Sequence, residues 1–345
     1  MQVVRLHGPK DLRLETTLEP LPPGPGQVLI AVGAVGVCGS DLHMYETGKI
    51  GTTAVETPLV LGHEFGGTVL RVGPGALDGY AQPLRAGQRV AVDPQVACGH
   101  CRQCQEGHPN LCPRHRFYGV WPDDGALRGW MVVESRNCFP VPQAFSDATV
   151  ALLETLGVAI HAVDLGKLRV AEGVGVIGCG PVGLLILRLA KLAGAGPLYA
   201  FDPLPWRREK ALELGADAAF ERAPGPAADL DVVFEAAWAN ESVQQAAEMA
   251  RPGGRLVLVG IPSDDRLYLQ HSTARRKGLS LIMARRMKHT YPRAIRLVES
   301  GQVDLEGLVS HRFSLEQTPQ AYAANAAYTP GLLKAVIEVA GATGD

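Results

Sequence analysis

Four of the seven cysteines fall within one stretch, at Cys98, Cys101, Cys104 and Cys112. Four thiolates on one tight loop can close a tetrahedron around zinc, and a site filled by sulfur keeps no position for substrate. Such a metal would be structural. An iron–sulfur cluster also takes four cysteines, and the intervening Gly, His, Arg and Gln do not separate the two. His100 and His108 read as exposed loop residues, because four thiolates already complete a ligand set. Cys138 and Cys179 have no partner motif and read as structural.

A second chemistry is carried by Gly178-Cys179-Gly180-Pro181-Val182-Gly183, which matches G-x-G-x-x-G between an apolar run at 174–177 and an apolar stretch at 184–192. Gly178 would permit a tight turn, Gly180 the approach of a pyrophosphate to the backbone, and Gly183 close packing of helix on strand. Pro181 and Val182 open the helix whose N-terminus faces the phosphates. Asp202, at the end of the next apolar run, would accept hydrogen bonds from ribose hydroxyls and repel a 2′-phosphate, which favours NAD over NADP. Arg207 and Arg208 pull the other way, since a guanidinium pairs well with phosphate. Arg207, Val259 and Gly260 complete the expected cofactor-binding set. An ordinary strand-to-helix turn with Asp202 as a cap is the plainer alternative.

Ligand types for an open metal site recur in three distant segments: Cys38-Gly39-Ser40-Asp41-Leu42-His43, Gly62-His63-Glu64 and Leu153-Glu154. Taken singly, a cysteine is more often a small buried residue and a glutamate a surface charge. Taken together and in order, the strings VCGSDLH, PLVLGHEFGGTVLRVG, CGHCRQC and LLETLGVAIHA resemble the signatures of the zinc-dependent medium-chain alcohol dehydrogenases. The likeness covers nearly the whole chain and is nearest to the sorbitol and polyol dehydrogenases.

That resemblance implies two zinc ions per subunit, NAD as cofactor and a homotetramer. Cys38 and His63 match catalytic zinc ligands, and Glu64 is itself a ligand in the polyol dehydrogenases. Glu154 stands where liver-type members carry a cysteine ligand; in polyol, threonine and glucose dehydrogenases this glutamate contacts the metal or its water. Which glutamate completes the site stays open. Tyr45, Phe117 and Arg286 lie in polyol-like segments and would line the substrate pocket. The implied reaction is oxidation of a secondary alcohol, such as that of sorbitol or xylitol, to a ketone, with zinc favouring the alkoxide and hydride passing to nicotinamide. Ser40 and His43 would relay the proton, with Glu154 as a competing acceptor. Asp41 would either orient the site as a hydrogen-bond acceptor behind the metal ligands or cap a helix starting at Leu42. Threonine 3-dehydrogenase and glucose 1-dehydrogenase are the nearest alternative activities. A non-catalytic zinc-stabilised binding or structural protein is the alternative of another class. Thr155-Leu156-Gly157 and Glu235-Ala236-Ala237-Trp238 depart from the family pattern, the latter placing Trp238 near the cofactor.

The elements that must position these residues follow from length and pattern. A chain of 345 residues is long enough for two domains. Residues up to about 150 are rich in Gly, Pro and short apolar runs, which suggests a β-rich domain, GroES-like by the resemblance. A helix is expected over 148–163. Strands at 174–177, 198–201, 231–234 and 255–260 alternate with apolar helices, the rhythm of an α/β doubly wound (Rossmann) sheet. The tail would rejoin the first domain, giving residues 1–152 with 286–345 as the GroES-like catalytic domain and 153–285 as the NAD-binding domain. The 255–260 strand would offer an edge to a second subunit. Basic residues between Arg275 and Arg296 read as a solvated helical face lending Arg286 to substrate, without the interleaved aromatics of a nucleic-acid surface. A net charge of -2, no apolar run long enough for a bilayer and no secretory pattern at the start give the remaining expectations. They are a small-molecule alcohol as partner, neither nucleic acid nor membrane, and a cytoplasmic location.

Overall fold

Residues 27–36, QVLIAVGAVG, are buried at seven of ten positions and form the long strand Gln27–Gly36. Glu64–Val72 runs antiparallel along one side of it. Trp130–Glu134 and Ala335–Glu338 share the other side, one pairing with the first half and one with the last three residues. Arg89–Val92 and Cys138–Pro140 extend the sheet in one direction and His311–Ser314 in the other, making seven strands. The tail therefore does return to the first fold. At one strand end Gly36 faces Glu64 on one side and Val336 on the other. Three segments remote in sequence meet there.

The computed structural model describes residues 1–237 and 239–339, so the expectation for Trp238 lies outside the described residues. The chain divides into two compact units, Met1–Glu154 together with the chain from Tyr291, and Thr155–Thr290. The division falls later than expected at both boundaries, placing Glu154 with the first unit and Arg286 with the second. Helix Asp147–Gly166 runs through the first boundary. It is apolar and long enough to cross a membrane by composition, contrary to the expectation that no such run exists. However, 78% of its apolar window is buried within the protein, as in a core helix.

The second unit is a six-stranded parallel sheet. Its order is Ala218–Phe220, Leu198–Phe201, Val174–Ile177, Leu230–Glu235, Ala250–Leu258 and Ser280–Met283. Numbered by appearance that order is 3-2-1-4-5-6, the dinucleotide-binding arrangement, with its switch point beside Val174–Ile177. Val174–Ile177 is buried at all four positions, as a strand covered on both faces must be. Two expectations need correction. The late strand occupies Ala250–Leu258 rather than 255–260 and is paired on both sides, so the sheet edge is Ser280–Met283. The basic stretch is not one helical face: it comprises helix His271–Lys277, that edge strand, a connecting segment and helix Tyr291–Glu299. Lys277 is not merely solvated, since its Nζ donates to the carbonyls of Ala247 and Ala250 at 3.1 and 2.7 Å.

Candidate active site and metal centres

Cys38 follows directly on strand Gln27–Gly36 and Val37, and is the N-cap of helix Gly39–Thr47. The helix thus starts three residues before the expected Leu42. His63 and Glu64 enter at the start of strand Glu64–Val72, after Gly62 has turned the chain with a left-handed φ of 94°. These two strand ends bring one donor atom each from Cys38, His63 and Glu64 within 4.8 Å of one another. Glu154 is not part of that cluster. It lies buried in helix Asp147–Gly166, where burial pushes its carboxyl up to about 8.

The donor set suits zinc. His63 Nδ1 sits 3.0 Å from Asp41 Oδ1, so it carries the ring proton and leaves Nε2 as the electron-pair donor. Asp41 Oδ2 accepts from the Cys38 backbone N–H at 3.2 Å. Asp41 therefore orients the histidine and caps the helix at once, where sequence offered these as alternatives. The Glu64 carboxylate is buried, and its Oε1 has no hydrogen-bond partner among the described residues. A buried oxygen of that kind calls for a partner, and a metal ion supplies one. Burial raises the Glu64 carboxyl, but the Lys334 ammonium together with His63 and Cys38 outweighs this and holds it below its ordinary value. Ser40 Oγ lies 3.3 Å from His63 Nε2 and donates to Cys38 Sγ at 3.4 Å. His43 is buried on the same helix.

Cys98, Cys101, Cys104 and Cys112 also have their sulfurs mutually within 4.8 Å. Cys101 Sγ is 3.4 Å from Cys104 Sγ and 3.8 Å from Cys112 Sγ, far beyond a disulfide, and every cysteine of the chain is a free thiol. A tetrahedron with zinc–sulfur bonds of about 2.3 Å places its sulfurs about 3.8 Å apart, close to this spacing. Cys138 and Cys179 are fully buried and only approach backbone carbonyls, in keeping with structural roles.

The glycine turn closes strand Val174–Ile177 and opens helix Pro181–Leu192. Gly178 has φ 90°, and a Cβ there would sit 2.6 Å from the Ala237 backbone nitrogen. A Cβ on Gly183 would overlap the Gly178 carbonyl oxygen, whereas Gly180 faces open space apart from Arg207 at 3.9 Å. Gly180 caps the helix without a side-chain hydrogen bond, leaving N–H groups for an anion. Asp202 is more enclosed than the sequence suggests. Its Oδ2 accepts from the Cys179 N–H at 2.8 Å and its Oδ1 from the Leu204 N–H at 2.9 Å, and Arg207 Nη1 lies 3.6 Å away. Each carboxylate oxygen keeps a further lone pair for a ribose hydroxyl. Val259 and Gly260 follow the end of strand Ala250–Leu258, both donating N–H to the Glu235 carbonyl.

Of the residues expected around substrate, Phe117 packs its ring 5.5 Å from His63 and Tyr45 packs at a tilt with its ring 5.5 Å from Tyr322. Arg286 belongs to the second unit and has a left-handed φ of 55°. Sequence reasoning missed Lys334, whose Nζ lies 2.5 Å from Glu64 Oε2. The available signal was a lysine flanked by Leu332, Leu333, Ala335, Val336 and Ile337. It also missed Glu235, a buried carboxylate at the end of a central strand.

Comparison with known proteins follows the same division. The domain described as Alcohol dehydrogenase GroES-like domain matches residues 24–143, and the one described as Zinc-binding dehydrogenase matches residues 181–300. Sorbitol dehydrogenase of Bacillus subtilis is 36% identical over 332 residues, spanning 93% of this chain and 92% of its own. Among solved structures, L-idonate 5-dehydrogenase of Escherichia coli superposes with a TM-score of 0.88 at 28% identity over 98% of this chain and 97% of its own. An alcohol dehydrogenase of E. coli CFT073 in complex with NADH gives 0.88 at 29% over 98% and 99%. With a cysteine–histidine–glutamate cluster, a four-thiolate cluster and a Rossmann glycine turn on one chain of this similarity, the protein belongs to the zinc-dependent medium-chain alcohol dehydrogenase family and is similar to its sorbitol and polyol dehydrogenases.

Proposed function

We propose that the protein oxidises a secondary alcohol of a polyol to a ketone and passes hydride to NAD. The observation that carries this reading is the convergence of Cys38, His63 and Glu64 at ligand spacing, three protein donors of the kind that hold zinc with a position left open. Zinc bound there supplies Lewis acidity, drawing the pKa of a substrate hydroxyl toward neutrality. Ser40 stands beside the ligand atoms and takes the hydroxyl proton, which His43, further along the same helix, carries onward. Glu154, buried in the helix that follows, shapes the polarity of the site rather than ligating. The glycine turn at Gly178, Gly180 and Gly183 receives the cofactor diphosphate. Arg207 pairs with Asp202, which offsets its pull on a 2′-phosphate and favours NAD. Phe117 against His63 forms an apolar wall beside the reacting carbon, with Tyr45 of the same unit reading substrate hydroxyls.

The similarity to sorbitol dehydrogenase and L-idonate 5-dehydrogenase supports a polyol or sugar-acid substrate class. The Ser280–Met283 edge, with Leu281 and Met283 exposed, supports assembly into a homo-oligomer, a tetramer by family likeness. Free thiols throughout suit the cytoplasm. The test is zinc content combined with a panel of sorbitol, xylitol, threonine and glucose, each with NAD and with NADP. Polyol turnover with NAD that is lost to a chelator and restored by zinc is the expected result. Turnover confined to threonine or glucose would replace the polyol assignment, and silence across a broad panel would point to a non-catalytic protein.

A further inference from the structure

The Glu64 carboxylate meets a cation of the protein's own. Lys334, just before strand Ala335–Glu338, is 3% exposed; its Nζ lies 2.5 Å from Glu64 Oε2 and donates to the Val37 carbonyl at 2.9 Å. Val37 precedes Cys38 and Glu64 follows His63, so one ammonium ties together both segments that bring donors to the metal centre. The backbone fixes this placement. The Val37 N–H donates to the Ala335 carbonyl at 3.0 Å, and Val336 pairs with Gly36, which faces Glu64 across the next ladder. Gly36 leaves the room required, since a Cβ there would overlap Glu64 Oε2.

A buried ammonium is retained where it is paired, and an ion pair alone would account for Lys334 and Glu64. The pair, however, uses only one carboxylate oxygen. Oε1 remains buried and without a hydrogen bond among the described residues, on the side chain that forms a cluster with Cys38 and His63. Two oxygens let the carboxylate serve two cations without competition between them.

We propose that Lys334 is a positioning residue for the metal centre, holding Glu64 by Oε2 and the Cys38 loop by the Val37 carbonyl so that Oε1, Cys38 Sγ and His63 Nε2 stay at ligand spacing. This rests on the metalloenzyme reading above. Its test compares Lys334→Met and Lys334→Arg with the parent protein by chelator competition for each zinc, and by the thiolate-to-metal absorption band after cobalt is loaded at the Cys38 centre. Lys334→Met is expected to weaken zinc at that centre about 10- to 100-fold, the range for residues that orient ligands. It should also shift the cobalt band, while the four-cysteine zinc is unchanged and Lys334→Arg recovers part of the loss. In a Glu64→Gln background Lys334→Met should add little, because its action passes through that carboxylate. Zinc held equally well without the lysine, or more tightly, would overturn the proposal, the latter meaning that the ammonium competes for Glu64. Equal weakening of both zincs would also overturn it, as general collapse of the unit. A parent protein that binds only the four-cysteine zinc would instead refute the metal-centre reading itself, a fault visible before any substitution.

Discussion

Glu235 ends strand Leu230–Glu235 and is 3% exposed. Its Oε1 accepts from Ser242 Oγ at 2.9 Å. Burial pushes the carboxyl from 4.5 up to about 7, although the Ser242 hydroxyl and the Ala237 and Gly260 N–H groups pull it down. The folded chain therefore binds this proton more tightly than the unfolded chain, by about 3 kcal/mol. Because the folded value is the higher one, the stabilisation is complete below the unfolded pKa of 4.5 and is withdrawn as pH rises through about 7. Glu235→Gln removes the titration while keeping the shape. Any mismatch of the new amide with the local N–H donors is a constant offset, independent of pH. Urea unfolding of parent and variant at a series of pH values from about 4.5 to 8 isolates the effect, since every other titrating group is common to both and cancels. The difference should move in favour of the glutamine variant by about 3 kcal/mol across that range, mostly between pH 5 and 7. A difference that stays flat with pH would mean that the carboxyl titrates alike folded and unfolded, and the argument from burial would fail.

Gly183→Ala would drive a methyl into the Gly178 carbonyl and force helix Pro181–Leu192 away from the turn. Losing one charge-assisted bond to a phosphate is worth about 1.5–3 kcal/mol, so the NADH dissociation constant read by fluorescence titration should rise about 10-fold or more; an unchanged constant would separate this turn from cofactor binding. Cys112→Ala opens the four-thiolate cluster, and metal analysis should find one zinc fewer per chain. The same variant should melt more than about 5 °C lower, since about 1 kcal/mol corresponds to 2–4 °C in domains of this size. Full zinc content with an unaltered melting curve would refute a structural metal there, and iron in the parent protein would recast the cluster.

What sequence made legible here is what a short string can hold. The four cysteines, the glycine turn and the Cys38 and His63 segments each carry their chemistry within about fifteen residues, and the strands at 174–177 and 198–201 are mostly apolar, as interior strands of a parallel sheet are. The rest depends on register. That Glu64 clusters with Cys38 and His63 while Glu154 does not depends on Gly36 standing opposite Glu64, which no local pattern encodes. Lys334 looks like an intruder at the head of an apolar strand until its partner carbonyl, 297 residues earlier, is placed beside it. The edge strand Ser280–Met283 was hidden by neighbouring basic residues that suggested a solvated helix, and only the strand order shows that Ala250–Leu258 is interior. Asp41 failed as an either-or choice because its two oxygens point to different tasks, one on the Cys38 N–H and one on His63. In each case the missing fact is a contact between strand ends that are far apart in sequence. It follows that Gly36 and Lys334, which offer no donor to a metal, constrain the centre as closely as the residues that do: one leaves space for the Glu64 carboxylate and the other fixes which oxygen remains for the ion.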